Sequence, residues 1–259
     1  MKVYDMEGKE KGKTVLPRIF LSDPRPDIIR KVVVALQSHV LQPKGRDPMA
    51  GKRTSAESVG VGRGLARVPR VKGERHPRAG SGAFAPSTVK GRVTHPPTVG
   101  KTLRKRINRK ERLVALFSAI AATASRDLVQ RRGHIVDEVE SFPLVVSDEV
   151  QDLSRTSEVR NLLAKIGVMK DLERARNREK SLSGKSRMRG KAKRFGVGPL
   201  LVVGEDKGIG RAARNLVGVD VIEAKNLNVQ LLAPGTDAGR LTVWSESALK
   251  IMDQFYSKG

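Results

Sequence analysis

The chain of 259 residues contains no cysteine, which excludes disulfide bonds and metal sites built on thiolates. Histidine is scarce too, and its four positions lack the paired spacing of metal ligands: His39, His76, His95 and His134. We therefore expect no metal site. The lack of cysteine also fits a protein of the reducing cytoplasm.

Aromatic side chains and long apolar runs are also scarce. Phe, Trp and Tyr together make up 3% of the residues. No stretch reaches the roughly 18–20 consecutive apolar residues that cross a bilayer. The first ten residues, MKVYDMEGKE, are too polar for a signal peptide. We therefore expect neither a membrane span nor a secretion signal in this sequence.

Acidic residues are few relative to basic ones, with 27 Asp and Glu against 51 Lys and Arg and a formal net charge of +24. Such a chain needs a polyanionic partner, for which nucleic acid is the first candidate and an anionic membrane surface the second. The excess is concentrated in two segments. Residues 42–112 hold 19 basic and 4 acidic residues, residues 170–194 hold 11 and 3, and the other 163 residues hold 21 and 20.

Residues 42–100 also differ from the rest in composition. They hold 10 of the 25 glycines and 7 of the 13 prolines, and Ser58–Phe84 follows neither a helical nor a strand period. A segment of this length is too long for an ordinary loop, so it is either a disordered linker or an extended insertion that becomes ordered on a polyanion. We favour the insertion because its basic residues are spaced throughout. Out and back, it reaches at most roughly 90 Å from its base.

The residue types of this insertion suit RNA. Arginine and lysine neutralise phosphates, and glycine lets the backbone approach RNA closely. Phe84 is the only aromatic residue of the segment, so phosphate and shape recognition of a folded RNA fits better than base stacking. The candidate RNA-binding residues in this segment and just after it are Arg46, Lys52, Arg53, Arg63, Arg67, Arg70, Lys72, Arg75, Arg78, Lys90, Arg92, Lys101, Arg104, Lys105 and Arg106.

A second basic loop is predicted at residues 178–196, between a predicted helix and a predicted strand. We expect it to bind RNA phosphates in the same way, and a solvated charged surface is the alternative. Its candidate RNA-binding residues are Lys185, Arg187, Arg189, Lys191, Lys193 and Arg194.

Outside these segments, short apolar strands alternate with amphipathic helices. This pattern predicts an α/β fold with a mainly parallel sheet, helices on both faces and the long basic loop as an insertion in a single domain of residues 1–259. Asn108 is expected to cap a helix, with Glu111 three residues on. The predicted strands are 2–4, 13–16, 143–146, 200–204, 219–223 and 241–244. The predicted helices are 27–41, 158–166, 169–177, 209–216, 228–232, 245–256 and one after Asn108 with a buried stripe of Leu113, Leu116, Phe117, Ile120 and Ala124.

Residues 200–212, LLVVGEDKGIGRA, raise an enzymatic alternative. The glycines of Gly204–Gly210 resemble the dinucleotide-binding turn of short-chain dehydrogenases, and Glu223 ends the next strand where a ribose contact is expected. Against this, Glu205 and Asp206 put two negative charges where a pyrophosphate would bind. Only about 55 residues follow the strand that leads into this turn, which is too few for the rest of a dehydrogenase sheet. The Tyr-x-x-x-Lys pair of that family is also absent. Glycine-rich turns are common in parallel sheets, so the motif alone does not indicate a cofactor. We therefore expect no catalytic residue and no cofactor.

Two segments that approach the P-loop pattern also fail. Gly100-Lys101-Thr102 and Gly184-Lys185-Ser186 lack the required earlier glycine, since His95 and Glu179 stand at those positions. No Gly-x-Ser-x-Gly elbow or paired catalytic carboxylates suggest a hydrolase.

Several long stretches resemble one protein family. They are GRGLARVPRVKG (Gly62–Gly73), THPPTVGK (Thr94–Lys101), INRKERLVALFSAIAATAS (Ile107–Ser125), the run Lys185–Gly235 and GRLTVWSESALKIMD (Gly239–Asp253). The chain is similar to the archaeal and eukaryotic branch of the universal large-ribosomal-subunit protein four family over essentially its whole length. Its length resembles the archaeal form.

This resemblance implies a structural protein of the large subunit that binds its ribosomal RNA and supports assembly. In the family, a globular α/β domain lies on the subunit surface and a long loop reaches the wall of the polypeptide exit tunnel. Carried over, the tip lies within Gly62–Arg75, and the candidate tip residues are Gly62, Arg63, Gly64, Leu65, Arg67 and Arg70. The implied partners are large-subunit ribosomal RNA, neighbouring ribosomal proteins and the nascent polypeptide, with no membrane and no homo-oligomer. A non-ribosomal RNA chaperone and a nicotinamide-dependent oxidoreductase are the alternatives.

Overall fold

The computed structural model describes residues 1–257 and divides the chain into two units, Met1–Gln37 with Arg106–Gly259 and Ser38–Lys105. The strands are β1 (Lys2–Tyr4), β2 (Glu10–Lys13), β3 (Ala56–Glu57), β4 (Arg70–Val71), β5 (Leu144–Val146), β6 (Lys180–Ser181), β7 (Lys193–Arg194), β8 (Leu200–Val203), β9 (Asp220–Glu223) and β10 (Thr242–Ser245). The α-helices are α1 (Pro26–Ser38), α2 (Arg109–Ala124), α3 (Arg126–Arg131), α4 (Thr156–Lys165), α5 (Met169–Asn177), α6 (Gly184–Met188), α7 (Ile209–Ala213), α8 (Val229–Leu232) and α9 (Glu246–Ser257). Short 3-10 helices span Arg18–Leu21, Asp148–Asp152, Ala224–Asn226 and Pro234–Thr236.

A six-stranded sheet in the order β2-β1-β5-β10-β8-β9 forms the centre of the first unit. All neighbouring strands are parallel except the edge strand β2, which pairs antiparallel with β1. Trp244 of β10 lies opposite Val145 on one side and Val202 on the other. The predicted α/β fold with a mainly parallel sheet is confirmed.

The central strands β5, β8 and β10 are buried on both faces of the sheet. Helices cross between parallel strands and cover the two faces, so successive strand residues pack into different cores. Val145, Val202 and Trp244 join one apolar cluster with residues of α1, α2, α8 and α9. Leu144 and Leu201 join the other, with residues of α3, α4, α5 and α7. The edge strand β2 is exposed and consists mainly of charged residues.

Trp244 occupies the centre of one core. It is fully buried, and its ring meets Phe20 edge-on with 5.3 Å between the ring centroids. This geometry is a favourable arrangement of two aromatic quadrupoles. Phe20 lies in the 3-10 helix Arg18–Leu21, so the contact holds this short segment against the sheet.

Three predicted boundaries needed correction, and one of them is the end of α7 at Ala213 instead of residue 216. The opening hairpin uses Glu10–Lys13 as its second strand instead of residues 13–16, and α1 ends at Ser38 instead of Leu41. Asn108 is the N-cap residue of α2, but its side chain makes no capping hydrogen bond. Glu111 forms an ion pair with Lys31 at 2.7 Å.

The predicted stripe of α2 lies on the core in part. Ile120 is buried, and Leu116, Phe117 and Ala124 are half-buried and pack against the same apolar cluster. Burial also extends around the helix, since its buried residues are Ala115, Ser118, Ala119, Ile120, Ala121, Ala122 and Thr123. The sequence stripe did not predict this wider burial.

The amino ends of the central strands are held by Arg240, whose side chain is 1% exposed. Its guanidinium donates to the carbonyls of Gly198 at 2.9 Å and Leu231 at 3.0 Å, and to the Asp220 carboxylate at 2.6 Å. One arginine thus links the segments that precede β8, β9 and β10.

No helix within residues 1–257 has the length and apolar character needed to cross a membrane.

We expect Arg240→Ala to lower the free energy of unfolding by about 3 kcal/mol, because buried carbonyls lose their donor. Urea unfolding followed by circular dichroism measures the change. Arg211→Ala, at an exposed position of α7, is the matched control and should stay within about 0.5 kcal/mol of the unsubstituted chain. Equal effects of the two substitutions would contradict this role of Arg240.

Candidate nucleic-acid interface

The second unit, Ser38–Lys105, is a long segment between α1 and α2 that carries 15 Lys or Arg and three Asp or Glu. Its outgoing and returning legs are joined near the base. The backbone amide of Lys105 donates to the Ser38 hydroxyl at 3.0 Å, and that of Arg46 donates to the Pro97 carbonyl at 3.2 Å. The legs therefore support each other without a regular sheet.

Further out, the two legs touch at Gly51 and Gly91. A Cβ atom added to Gly51 would lie 2.4 Å from the carbonyl carbon of Gly91, and one added to Gly91 would lie 2.1 Å from the Ala85 carbonyl oxygen. No larger residue fits at this crossing. Close packing therefore explains why glycine occupies positions 51 and 91 of this segment.

The outer part contains a small antiparallel sheet. Ala56 and Glu57 of β3 pair with Val71 and Arg70 of β4. The chain then returns, and the amide of Ala83 donates to the Pro69 carbonyl at 2.8 Å. Sequence reasoning missed these two-residue strands because they are too short for a detectable period.

Most residues of the turn between β3 and β4, residues 58–69, are exposed. Gly60, Gly62 and Gly64 all have positive φ, and nothing lies within 4 Å of a Cβ atom added to any of them. Val61 is 72% exposed and Leu65 is 53% exposed. This turn presents both glycine backbone and apolar side chains to its surroundings.

The predicted tip residues separate into two positions. Gly62, Arg63, Gly64, Leu65 and Arg67 lie in the turn, whereas Arg70 lies in β4 at its foot. Arg70 is half-buried, and its guanidinium donates to the Gly80 carbonyl at 2.9 Å. Arg70 thus closes the small sheet, while the other members are exposed.

The remaining candidates of this segment are exposed, except that Arg92 is half-buried over the Phe84 ring at 6.0 Å. Two of them form ion pairs, Arg53 with Asp47 and Lys72 with Glu57. Arg106 belongs to the first unit. The other exposed members are Arg46, Lys52, Arg75, Arg78, Lys90, Lys101, Arg104 and Lys105.

The second basic segment, predicted as a loop between a helix and a strand, contains a short hairpin. Lys180 and Ser181 of β6 pair antiparallel with Arg194 and Lys193 of β7, and α6 forms the connection. Residues 180–194 contain seven Lys or Arg and no Asp or Glu. We call this element the basic hairpin. Its candidates Lys185, Arg187, Arg189, Lys191, Lys193 and Arg194 are all exposed, and Lys193 pairs with Glu179 at 2.7 Å.

A buried polar cluster anchors the returning end of the basic hairpin. Arg174 of α5 donates to the Val197 carbonyl at 2.6 Å and to Asp171 at 2.7 Å. Asp171 in turn lies 2.9 Å from His134 Nδ1. Sequence reasoning missed these residues, although Asp171 and Arg174 have the spacing of a helical ion pair.

Burial shifts the titration of this cluster. Burial lowers the pKa of His134 and outweighs its hydrogen bond with Asp171. Burial opposes ionisation of Asp171, but hydrogen bonds with His134 and Arg174 outweigh it and lower the pKa of this carboxyl. Neutral imidazole and ionised carboxylate are therefore the folded forms near neutral pH.

The glycine-rich turn Gly204–Gly210 has its amides already occupied. Asp206 Oδ1 accepts hydrogen bonds from the amides of Gly208 and Gly210, both at 3.0 Å. A Cβ atom added to Gly210 would lie 2.3 Å from Asp206 Oδ2, and one added to Gly204 would lie 2.3 Å from the Ser247 hydroxyl. The carboxylate stands where a pyrophosphate would accept these hydrogen bonds, and the glycines meet packing needs.

Comparison with known proteins gives a consistent result. A family model described as "Ribosomal protein L4/L1 family" matches residues 14–255. The chain is 47% identical over 256 residues to the large ribosomal subunit protein uL4 of Methanosphaera stadtmanae, covering 99% of this chain and 97% of the relative. It is 48% identical over 257 residues to the large ribosomal subunit protein uL4 of Saccharolobus islandicus (strain L.S.2.15), covering 99% and 94%.

The lowered pKa of His134 predicts that stability falls on acidification. Below the unfolded-state pKa of about 6.5, the unfolded chain takes up a proton that the folded chain does not, so the free energy of unfolding decreases with pH. Urea midpoints at pH 7.5 and 5.5 should drop less for His134→Asn than for the unsubstituted chain. His95→Asn, at an exposed position, is the control, and an unchanged drop for His134→Asn would refute the prediction.

Proposed function

The chain belongs to the ribosomal protein L4/L1 family and is a structural constituent of the large ribosomal subunit, and we propose that it binds large-subunit ribosomal RNA through two basic projections. One projection is the Ser38–Lys105 unit, and the other is the basic hairpin. In this role the protein works at the ribosome in the cytoplasm and supports subunit assembly without catalysis.

The observation that carries this proposal is the excess of basic residues in the two projections, with 15 Lys or Arg against three Asp or Glu in Ser38–Lys105 and seven against none in residues 180–194. Elsewhere in the first unit some lysines face acids, as in the pairs Lys9–Glu7, Lys11–Glu149 and Lys170–Glu138. Among the ion pairs of residues 1–257, none involves Arg63, Arg67, Arg187, Arg189 or Lys191. Unpaired cations on exposed backbone are the groups that neutralise phosphates and release counterions.

The geometry of both projections suits a folded RNA. The sheet and helices of the first unit offer a rigid support. A long basic segment such as Ser38–Lys105 can enter spaces between RNA helices that a globular domain cannot reach. Guanidinium groups bind phosphates through two oxygens, and backbone amides of glycine approach phosphates closely. These contacts depend on RNA shape more than on sequence.

The tip of the Ser38–Lys105 unit is proposed to line the polypeptide exit tunnel. Val61 and Leu65 are exposed there and stand among glycines and arginines. Such a surface offers apolar contact to a passing chain and cationic contact to the surrounding RNA. Neighbouring ribosomal proteins are the further partners we propose, and no homo-oligomer is required.

An oxidoreductase function is not proposed. The amides of Gly208 and Gly210 already donate to Asp206 Oδ1 and so are not free to donate to a phosphate. A general RNA chaperone would bind unrelated RNA as tightly as ribosomal RNA, so competition between the two RNAs separates it from our proposal.

Neutralising the basic hairpin tests the RNA interface. The triple variant Arg187→Ala, Arg189→Ala, Lys191→Ala should lower the slope of log affinity against log salt concentration by about 2–3, as each lost phosphate contact removes about 0.7–0.9. Filter binding of the full chain to large-subunit ribosomal RNA measures this slope.

The matched control removes the same charge from paired positions: Lys9→Ala, Lys11→Ala, Lys170→Ala. It should change the slope much less, since these lysines face carboxylates. If both triple variants reduced the slope equally, RNA binding would reflect net charge alone and the proposed interface would be wrong.

The tunnel position has its own test. A photoreactive amino acid at Leu65, in ribosomes that carry a labelled nascent chain, should crosslink to that chain once the chain is long enough to pass the tip. The same group at Val15, an exposed position of the first unit, should not. Crosslinks from Leu65 to RNA or protein only, at every nascent-chain length, would refute the tunnel assignment.

A further inference from the structure

We propose that a groove beside the basic hairpin receives an unstacked base of the bound RNA. The groove lies between α4, α5 and residues 215–217, and its volume is 940 Å³. This is within the size range of small-ligand sites. The proposal rests on the RNA-binding function above and adds to it a site that discriminates nucleotides.

The lining of the groove combines apolar side chains with one aromatic ring. Met169, Leu172, Leu216 and Val217 contribute apolar surface, and Phe195 contributes an accessible ring that is 39% exposed. Phe195 belongs to neither apolar cluster of the described chain, so core packing does not account for it. A flat ring beside an apolar floor is the surface on which an unstacked base rests.

Polar groups line the same groove and can read a base edge. Asn161 and Asn215 are exposed there, and each side-chain amide offers both donors and an acceptor. Glu173 adds a carboxylate that accepts from an exocyclic amine. Groups of this kind recognise the Watson–Crick edges of unstacked bases in RNA loops and bulges.

Two arginines of the lining are available for the phosphates on either side of such a base. Arg160 of α4 and Arg176 of α5 are exposed, and neither has an ion-pair partner within the part of the chain that the structure describes. By contrast, Glu179 of the lining is paired with Lys193. The groove therefore offers free positive charge, which favours a nucleotide over an uncharged apolar peptide.

The groove is continuous with the basic hairpin. Glu179 immediately precedes β6, and Phe195 immediately follows β7, so both ends of the hairpin reach the lining. An RNA strand held along the hairpin by its phosphates consequently passes the mouth of the groove. This continuity points to RNA as the occupant, in preference to a separate protein.

The test uses the full chain and large-subunit ribosomal RNA. Phe195→Ala should weaken binding about tenfold, because a stacking surface is lost, while the salt slope stays unchanged, because no phosphate contact is removed. Phe195→Tyr keeps an aromatic ring and should retain affinity. Phe255→Ala is the matched control, since Phe255 is similarly exposed at 47% but lies on α9.

Chemical probing of the RNA gives an independent result. A base whose Watson–Crick edge is protected by the unsubstituted chain should become reactive with Phe195→Ala and stay protected with Phe255→Ala. Protection that is identical with all three proteins would overturn the proposal, even if Phe195→Ala altered folding enough to blur the affinity comparison.

The remaining outcomes separate this inference from the proposed function. Unchanged RNA affinity of Phe195→Ala, with the usual salt slope, overturns the base site and leaves the RNA-binding function intact. Normal RNA binding combined with failed incorporation into large subunits would assign the groove to a neighbouring protein instead. If the unsubstituted chain showed no salt-dependent binding, the proposed function itself would fail.

Discussion

Burial of both faces of a parallel sheet is the constraint from which the rest of this structure follows. Val145, Val202 and Trp244 enter one core while Leu144 and Leu201 enter the other, so the central strands β5, β8 and β10 have no face left for charge. The many basic residues of the chain must therefore lie outside the sheet. Many of them lie in the Ser38–Lys105 unit and in the basic hairpin, where exposed cations remain hydrated and accessible to a polyanion.

The two projections present charge by different means. In the Ser38–Lys105 unit, close contact of Gly51 with Gly91 and a few backbone hydrogen bonds join two legs that contain little regular structure. The basic hairpin instead has paired strands and an anchor, since Arg174 connects the Val197 carbonyl to the buried Asp171. The hairpin is thereby tied to the core, and the groove lined by Phe195 lies at its foot.

The turn Gly204–Gly210 illustrates why a motif needs its three-dimensional context. Its sequence has the glycine spacing of a dinucleotide site, and its position between a strand and a helix is also right. The side chain of Asp206 nevertheless accepts the hydrogen bonds of Gly208 and Gly210. The sequence already indicated that acidic residues in the turn would repel a pyrophosphate. The folded structure adds a second reason, since the Asp206 carboxylate occupies the amides that a pyrophosphate would need.

The sequence by itself determined the α/β class, the order of the main elements and the segregation of charge, because apolar periodicity and charge counts are local properties of the chain. Short-range signals were insufficient for the two-residue strands β3, β4, β6 and β7, and for the face that α2 buries. Those features depend on which distant segments meet. The groove lined by Phe195, Arg160 and Asn215 is likewise a product of tertiary structure, since its residues come from three separate parts of the chain and converge only when the helices pack on the sheet.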